Sequence, residues 1–522
     1  INFNFRRSIL KKIKIKNLRA LKETPKVSLL PLTILLGKNS IGKSSFLRTF
    51  PLFKQSISVN RSEPLLWYSP ELVDFGSFEE SIYKNKKDAT ISFEFEFDIN
   101  QSFSFFRYRF FNFEDDTLPI NIKFEIKESY FEKLEISLFN NDLILLFEKN
   151  EKNELVFSIN NDISLNSDIE IPSDVFIRES IIPDLLFGLK NFHKNDKILD
   201  MIKEELRTFI SIKETKSDSF LRKNSITEEL LDYLNLSSKD DFKDTFANFI
   251  CKRHHNLKKE NILSKTKTLD NIYILFGYFH ANSIINSINF YLSNYFRNVQ
   301  YIAPIRATAS RYYRHQGLSI DNIDPQGENI PMILTNLTKK ETESWEKWTK
   351  KFFNIIFKVK RLESNISIKL IKENEEFNLA DTGFGYSQLL PILIYLWRID
   401  ENQQNIRNSS IWRKIPHTLI IEQPELHLHP ALQAKLMNIF IELVTSLKEK
   451  LNFSIILETH SETMINQIGY NIINKKISSD LVNVLLFEEI NNEISTKETK
   501  FNSQGYLENW PIDFFLPEEE DK

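Results

Sequence analysis

An α/β fold interrupted by insertions is predicted by three features of this sequence. Two short apolar runs of strand length, "LLPLTILL" (29–36) and "HTLII" (417–421), are each followed by residues able to turn the chain into a helix. Four of the 11 glycines, Gly37, Gly42, Gly383 and Gly385, fall in two short segments. Between these segments lie a region of strand period and a polar, helical region, which predict an inserted β region and an inserted helical lobe.

At 522 residues and 61.7 kDa the chain is long enough for two to four domains, each with its own core. A formal net charge of -3 argues against a histone-like nucleic-acid binder, so any such surface must be local. One cysteine, Cys251, excludes an internal disulfide framework and points to a reducing compartment. No signal-peptide order and no apolar run of the ~18 residues that spans a bilayer is present, so a cytoplasmic protein without membrane partners is expected.

Along the chain, "KKIKIKNLRAL" (11–21) alternates in strand period, with Lys12, Lys14 and Lys16 opposite the inward-facing Ile13 and Ile15. Those lysines and the inserted lobes are the expected contacts for DNA or RNA, if nucleic acid binds. From Ala89 to about Ile163 alternating segments such as "TISFEFEFDI" and "NIKFEIKE" predict an antiparallel sheet. Phe93, Phe95 and Phe97 share one face of it, as a sheet core or a stacking platform for single strands; the acidic face of Glu94 and Glu96 favours the core. Residues 180–300 read as helical and Lys-rich, with "CKRHHNLKK" (251–259) the most basic point; adjacent His254 and His255 do not share a helix face. After Tyr301 the apolar strand pattern resumes and runs to residue 490. The expected organisation is 1–88 and 301–490 as the two parts of the α/β body, 89–165 as the β insertion, 166–300 as the helical lobe, and 491–522 as a short C-terminal domain.

"LTILLGKNSIGKSSFLRTF" fits strand, G-x-x-x-x-G-K-S loop and helix. In that order the backbone N–H groups of Gly37, Lys38, Asn39, Ser40 and Gly42 and the helix start face phosphates, Lys43 reaches the β/γ oxygens, and Ser44, followed by Ser45, holds Mg²⁺. ATP with Mg²⁺ is therefore the expected cofactor. "LADTGFGYSQLLPILIYLW" (379–397) places a Gly-x-Gly turn before Ser387, which would cap a helix starting at Gln388, with Pro391 near its first turn. Such a start is a second anion site, or simply a capped helix.

The spacing of these segments resembles the ABC-type ATPases of the SMC, RecF and OLD group. "HTLIIEQPELHLHP" (417–430) is similar to their Walker B strand and D-loop, and "SIILETHSETMINQI" (454–468) to their switch-histidine strand. "ELVDFGSFEESIY", "QYIAPIRATASRYY", "GFGYSQLLPILI" and "GYLENWPIDFF" resemble one prokaryotic family of predicted ATPases that ends in a short C-terminal domain of unknown function and is often encoded in defence or mobile-element islands. The resemblance covers residues 11–87 and 300–517 and scarcely touches the insertions. It implies an ABC-type P-loop ATPase head, a mixed sheet with helices, that dimerises or assembles further around ATP. In that arrangement Gly385, Ser387 and Gln388 contact the γ-phosphate held by the other protomer, and His460 senses it.

The resemblance gives Glu422 the carboxylate position that holds Mg²⁺, and Gln423 the position of the carboxylate that orients attacking water. An amide cannot accept a proton at neutral pH, although it can place a water. Glu425, after Pro424, is a candidate substitute base and equally a loop residue. Glu425, His427 and His429 lack the fourth partner a metal site would need. The OLD group carries a C-terminal Toprim nuclease, for which the 62 residues after His460 leave no room. The expectation is therefore a slow ATPase that controls a separately encoded effector, such as an HNH nuclease, in antiviral defence. A RecF-like repair ATPase and a non-hydrolysing ATP-bound scaffold are the alternatives.

Overall fold

The computed structural model describes residues 10–85, 89–100, 117–128, 130–150, 155–162, 180–182, 195–207, 229–231, 233–255, 257–317, 320, 322–405, 416–491 and 493–509. The chain divides into two compact units. One comprises Lys12–Gln55, Leu66–Lys87 and Asn294–Lys522, the other Ile1–Lys11, Ser56–Leu65 and Asp88–Ser293.

Strand β1 (Leu10–Leu18) buries Ile13 and Ile15 and pairs antiparallel with β2 (Leu21–Glu23) and β3 (Val27–Ser28). Of its lysines, Lys14 forms a partly exposed ion pair, its Nζ 2.5 Å from Glu23 Oε1. Strand β4 (Leu32–Gly37) is buried at every position, as expected of a strand with neighbours on both edges and layers on both faces. It leads through a short loop into α1 (Lys43–Ile57), whose Phe46, Phe50 and Phe53 recur at helical spacing and are fully buried.

The second unit holds an antiparallel meander of β5 (Ile91–Asn100), β6 (Thr117–Lys127), β7 (Tyr130–Leu138), β8 (Leu143–Lys149) and β9 (Leu155–Ile159), each paired with the next. Phe93, Phe95 and Phe97 are fully buried. The first two pack on Phe124, with ring centroids at 5.5 and 5.7 Å, and Phe97 stacks on Tyr291 at 4.8 Å. The stripe is thus sheet core, which removes the stacking-platform alternative. Helix α2 (Lys239–Arg253) has a Ser238 cap, Asp240 and Asp241 in its first turn and Lys252 and Arg253 in its last, all of which suit the helix dipole. "CKRHHNLKK" falls at its C-terminal end, where Arg253 pairs with Glu229, and Lys259 with Asp244 at 2.8 Å. Helix α3 spans Thr266–Arg297.

In the first unit, β10 (Val299–Ile302) is followed by β11 (Tyr313–Arg314), α4 (Lys339–Phe353), β12 (Ile356–Leu362), β13 (Asn365–Lys372) and β14 (Glu375–Asn378). Strands β11, β12 and β14 all pair antiparallel with β13. Trp345 of α4 stacks on Phe357 and meets Trp397 edge-on in the core that also holds β4. Next come α5 (Phe384–Asn405), β15 (His417–Glu422), α6 (Pro430–Leu451), β16 (Phe453–Glu458), α7 (Glu462–Ile473), β17 (Val482–Ile490) and β18 (Glu493–Thr499). Among the described residues the principal sheet has the order β10-β15-β16-β4-β17-β18, parallel except for β18. Strand β16 therefore lies between the P-loop strand and β15, and the ends of all three open toward the loop after β4. The mixed α/β fold is present as the sequence leads one to expect.

Ser387 does not cap a helix beginning at Gln388. Helix α5 starts at Phe384, directly after Gly383 with its φ of +75°, so Ser387 and Gln388 lie within its first turns and are buried. The end of the C-terminal segment, residues 510–522, lies outside the described residues. No helix among the described residues is long and apolar enough to cross a membrane.

Candidate functional site

The P-loop is shaped by close backbone approach. A Cβ at Gly37 would lie 2.7 Å from the Phe487 carbonyl oxygen of β17, and Ser40 and Gly42 have φ of +63° and +88°. Lys38, Asn39 and Ser40 are exposed, Ser45 is half-buried and Lys43 is buried. Lys43 Nζ donates to Gly37 O at 2.9 Å and to Lys38 O, so it spans the loop it would share with phosphates. Burial lowers its pKa, and Glu458 opposes that shift.

Parallel register sets Glu422 of β15 directly beside Glu458 of β16, and Glu458 beside Leu35 of β4. Ser44 Oγ donates to Glu458 Oε2 at 2.7 Å. Glu458 Oε1 lies 3.8 Å from Lys43 Nζ and 3.9 Å from His460 Nε2. Burial raises the Glu458 pKa; Ser44 and Lys43 lower it, while the Glu422 charge adds to the rise. Glu422 is held by a guanidinium fork: Arg48 Nε donates to Oε1 at 2.6 Å and Arg48 Nη2 to Oε2 at 2.8 Å. Tyr301 OH donates to the same Oε1 at 2.7 Å. The hydrogen bond to Glu422 is the main reason the Arg48 pKa stands above its ordinary value.

After β15 the chain turns at Gln423, whose φ is +44° and whose N–H donates to Glu458 O at 2.9 Å. The turn brings Glu425 back to the strand ends, where its Oε1 accepts from His460 N at 2.7 Å. Burial raises the Glu425 pKa. Burial, assisted by Lys43, lowers that of His460 to about 4, so the imidazole is neutral at physiological pH. Arg306, only 2% exposed, braces the turn: its Nη2 donates to Glu422 O at 2.8 Å and to Gln423 O at 3.2 Å. Its carbonyl accepts from Gln388 Nε2 at 2.9 Å, and a Cβ on Gly385 would sit 3.2 Å from His427 O. The Gly-x-Gly segment and the loop after β15 are thus neighbours within one chain. His427 is exposed, and His429 caps α6 through Nδ1. Among the described residues no group of three or more His, Cys, Asp and Glu could hold a metal.

A family model described as an AAA ATPase domain matches residues 9–465. The chain belongs to this family of AAA ATPase domains. No curated protein sequence matches it. Similar solved structures include an SMC head domain from Pyrococcus furiosus bound to the C-terminal domain of ScpA, at 10% identity and a TM-score of 0.32 over 94% of this chain and 96% of that one. The SMC head domain from Thermotoga maritima gives 8% identity and a TM-score of 0.34 over 94% and 98%.

For an ATPase domain the expected metal is Mg²⁺, which takes oxygen ligands. Ser44 Oγ and Glu458 Oε2, in contact at the foot of the P-loop, form a donor pair of the right kind. Glu458 is one of four residues at this site that the sequence alone does not single out. The available signal was its place: like Glu422, it is an acidic residue closing a largely apolar strand, "SIILE" beside "HTLIIE". Arg48, Tyr301 and Arg306 were missed for a different reason, since each acts through a contact that only the fold creates.

Proposed function

We propose that this ATPase domain binds ATP with Mg²⁺, hydrolyses it slowly, and dimerises around it to control a separately encoded effector, such as a nuclease, in prokaryotic antiviral defence. The observation that carries the nucleotide reading is the convergence of Lys43, Ser44, Glu422, Glu458 and His460 on one P-loop. Lys43 would bind the β/γ oxygens, and neutral His460 would hydrogen-bond the γ-phosphate rather than add charge to it. Gln423 can orient water but cannot take its proton. General-base help is typically worth ~10²- to 10⁴-fold, so its loss slows turnover without abolishing it. The dimer and effector are supported by the motif resemblance. Gly383 is exposed and Gly385 half-buried, leaving the turn itself, rather than the buried Ser387, to meet a partner's nucleotide.

Phosphate release tests this reading. Wild type should turn over well below the ~10 s⁻¹ typical of enzymes, Lys43→Ala should neither bind nor hydrolyse ATP, and Gln423→Glu should raise the rate. If Glu425 takes the proton, Glu425→Gln should lower it. Wild-type turnover at the ordinary enzyme rate, unaltered by either substitution, would overturn the slow-switch reading, and ATP binding without phosphate release would favour the scaffold.

A further inference from the structure

We infer that Glu458, at the end of β16, is the carboxylate that holds the metal ion accompanying nucleotide in this site, and that Glu422 is instead the anchor fastening α1 to β15. The inference rests on the P-loop reading above and departs from the roles implied by the strand-end motifs, which give the metal to Glu422.

Three observations carry it. The P-loop hydroxyl already faces this carboxylate, with Ser44 Oγ donating to Glu458 Oε2 at 2.7 Å. Both oxygens of Glu422, by contrast, are occupied: Arg48 takes one with each arm of its fork, and Tyr301 OH adds a second bond to Oε1. Glu422 is 2% exposed, so binding a cation there would mean surrendering a buried ion pair, whose disruption is strongly unfavourable. Arg306 fixes the backbone at this point by donating to the Glu422 main-chain carbonyl.

The third observation concerns counter-charge. The cation paired with Glu458 is Lys43, 3.8 Å away, and Lys43 is also the residue a P-loop turns toward phosphate; the charge of Arg48 reaches Glu458 too, but its hydrogen bonds go to Glu422. Once Lys43 is committed to the nucleotide, the close contact that Glu458 keeps is the Ser44 hydroxyl. A buried carboxylate in that position needs a positive partner. A divalent cation bound by Ser44 and Glu458 would meet that need and neutralise charge on the phosphates.

The test uses the chain with ADP and Mn²⁺, which is visible by electron paramagnetic resonance. Free Mn²⁺ is titrated against the protein–ADP complex, and ADP affinity is measured separately in EDTA. Glu458→Gln keeps the side-chain shape and can still accept from Ser44. It should retain metal-free ADP binding yet weaken Mn²⁺ in the ternary complex by at least the ~10- to 100-fold that loss of even an outer-sphere partner costs. Folded Glu422→Gln should weaken Mn²⁺ by much less. Unchanged Mn²⁺ affinity in Glu458→Gln, or an equal loss in Glu422→Gln, would overturn the inference while leaving the P-loop reading intact. Wild type that fails to bind ADP even in EDTA would instead overturn the P-loop reading itself. If Glu458→Gln does not fold, Glu458→Asp decides: its shorter reach should also weaken Mn²⁺ by about 10-fold or more, and wild-type affinity there would count against Glu458.

Discussion

At the scale of single residues, the site separates a carboxylate that is fastened from one that can be shared. The Arg48–Glu422 fork joins the first helix to a strand hundreds of residues later and lies mostly out of water. Removing one member of a buried pair leaves the other charge stranded. Arg48→Leu should therefore destabilise the unit by roughly 3 kcal/mol, as read by urea denaturation. Adding Glu422→Gln should restore much of the loss, because the stranded charge disappears. A double variant no more stable than the single one would show that packing, not charge, holds this contact. The phosphate-loop residues were legible in the sequence because their chemistry depends on local order along the chain. Arg48 was not, since a helical arginine opposite an unknown strand looks like any solvated arginine.

At the scale of elements, legibility followed the same division. β4 and β15 were recognisable from short, largely apolar runs, which suit strands buried on both faces. The antiparallel meander could be read from its alternation, and its phenylalanine stripe from the charges opposite. Phe95→Ala should lower the stability of its unit by ~3–5 kcal/mol, and a change in single-strand binding without loss of stability would contradict its place in the core. The start of α5 was misplaced because Ser387 has the side chain of a cap. The residue at which the chain leaves the left-handed region is Gly383, and the helical pattern extends back to it. The neighbour of Gly37 was likewise invisible, because β17 follows it by some 450 positions. Gly37→Ala would press its methyl on the Phe487 backbone, at a cost of roughly 1–3 kcal/mol by analogy with overpacking, and ATP affinity should fall with it. A variant that keeps both wild-type stability and ATP affinity would show that the loop can yield at this point.

At the scale of the whole molecule, histidines that burial keeps neutral make both units sensitive to acid. Burial lowers the pKa of His280 in one unit, and of His417 and His460 in the other, to about 4. Between pH 6.5 and 4 the unfolded chain holds protons on these rings that the folded chain does not. Stability must therefore fall as pH drops through that window, by at most ~1.4 kcal/mol per pH unit for each ring and by less in proportion to its contact with water. Glu425 and Glu458, whose pKa values are raised, oppose the trend in part. Urea midpoints at pH 5 should lie below those at pH 7 for both units; a unit whose midpoint holds constant would place its histidines in contact with water.

The position of β4 also has a consequence in time. It lies between β16 and β17, and its Leu32 pairs with Ile455 on one side and Val482 on the other. Contacts so distant along the chain form slowly, because the loop entropy is lost before the pairing compensates for it. A ribosome adding ~5–20 residues per second would expose the phosphate-loop strand for roughly 20 to 90 s before both neighbours exist. An unfinished chain would thus carry the phosphate-binding sequence without the pocket that makes it bind, and a nascent chain arrested before Val482 should fail to retain ATP.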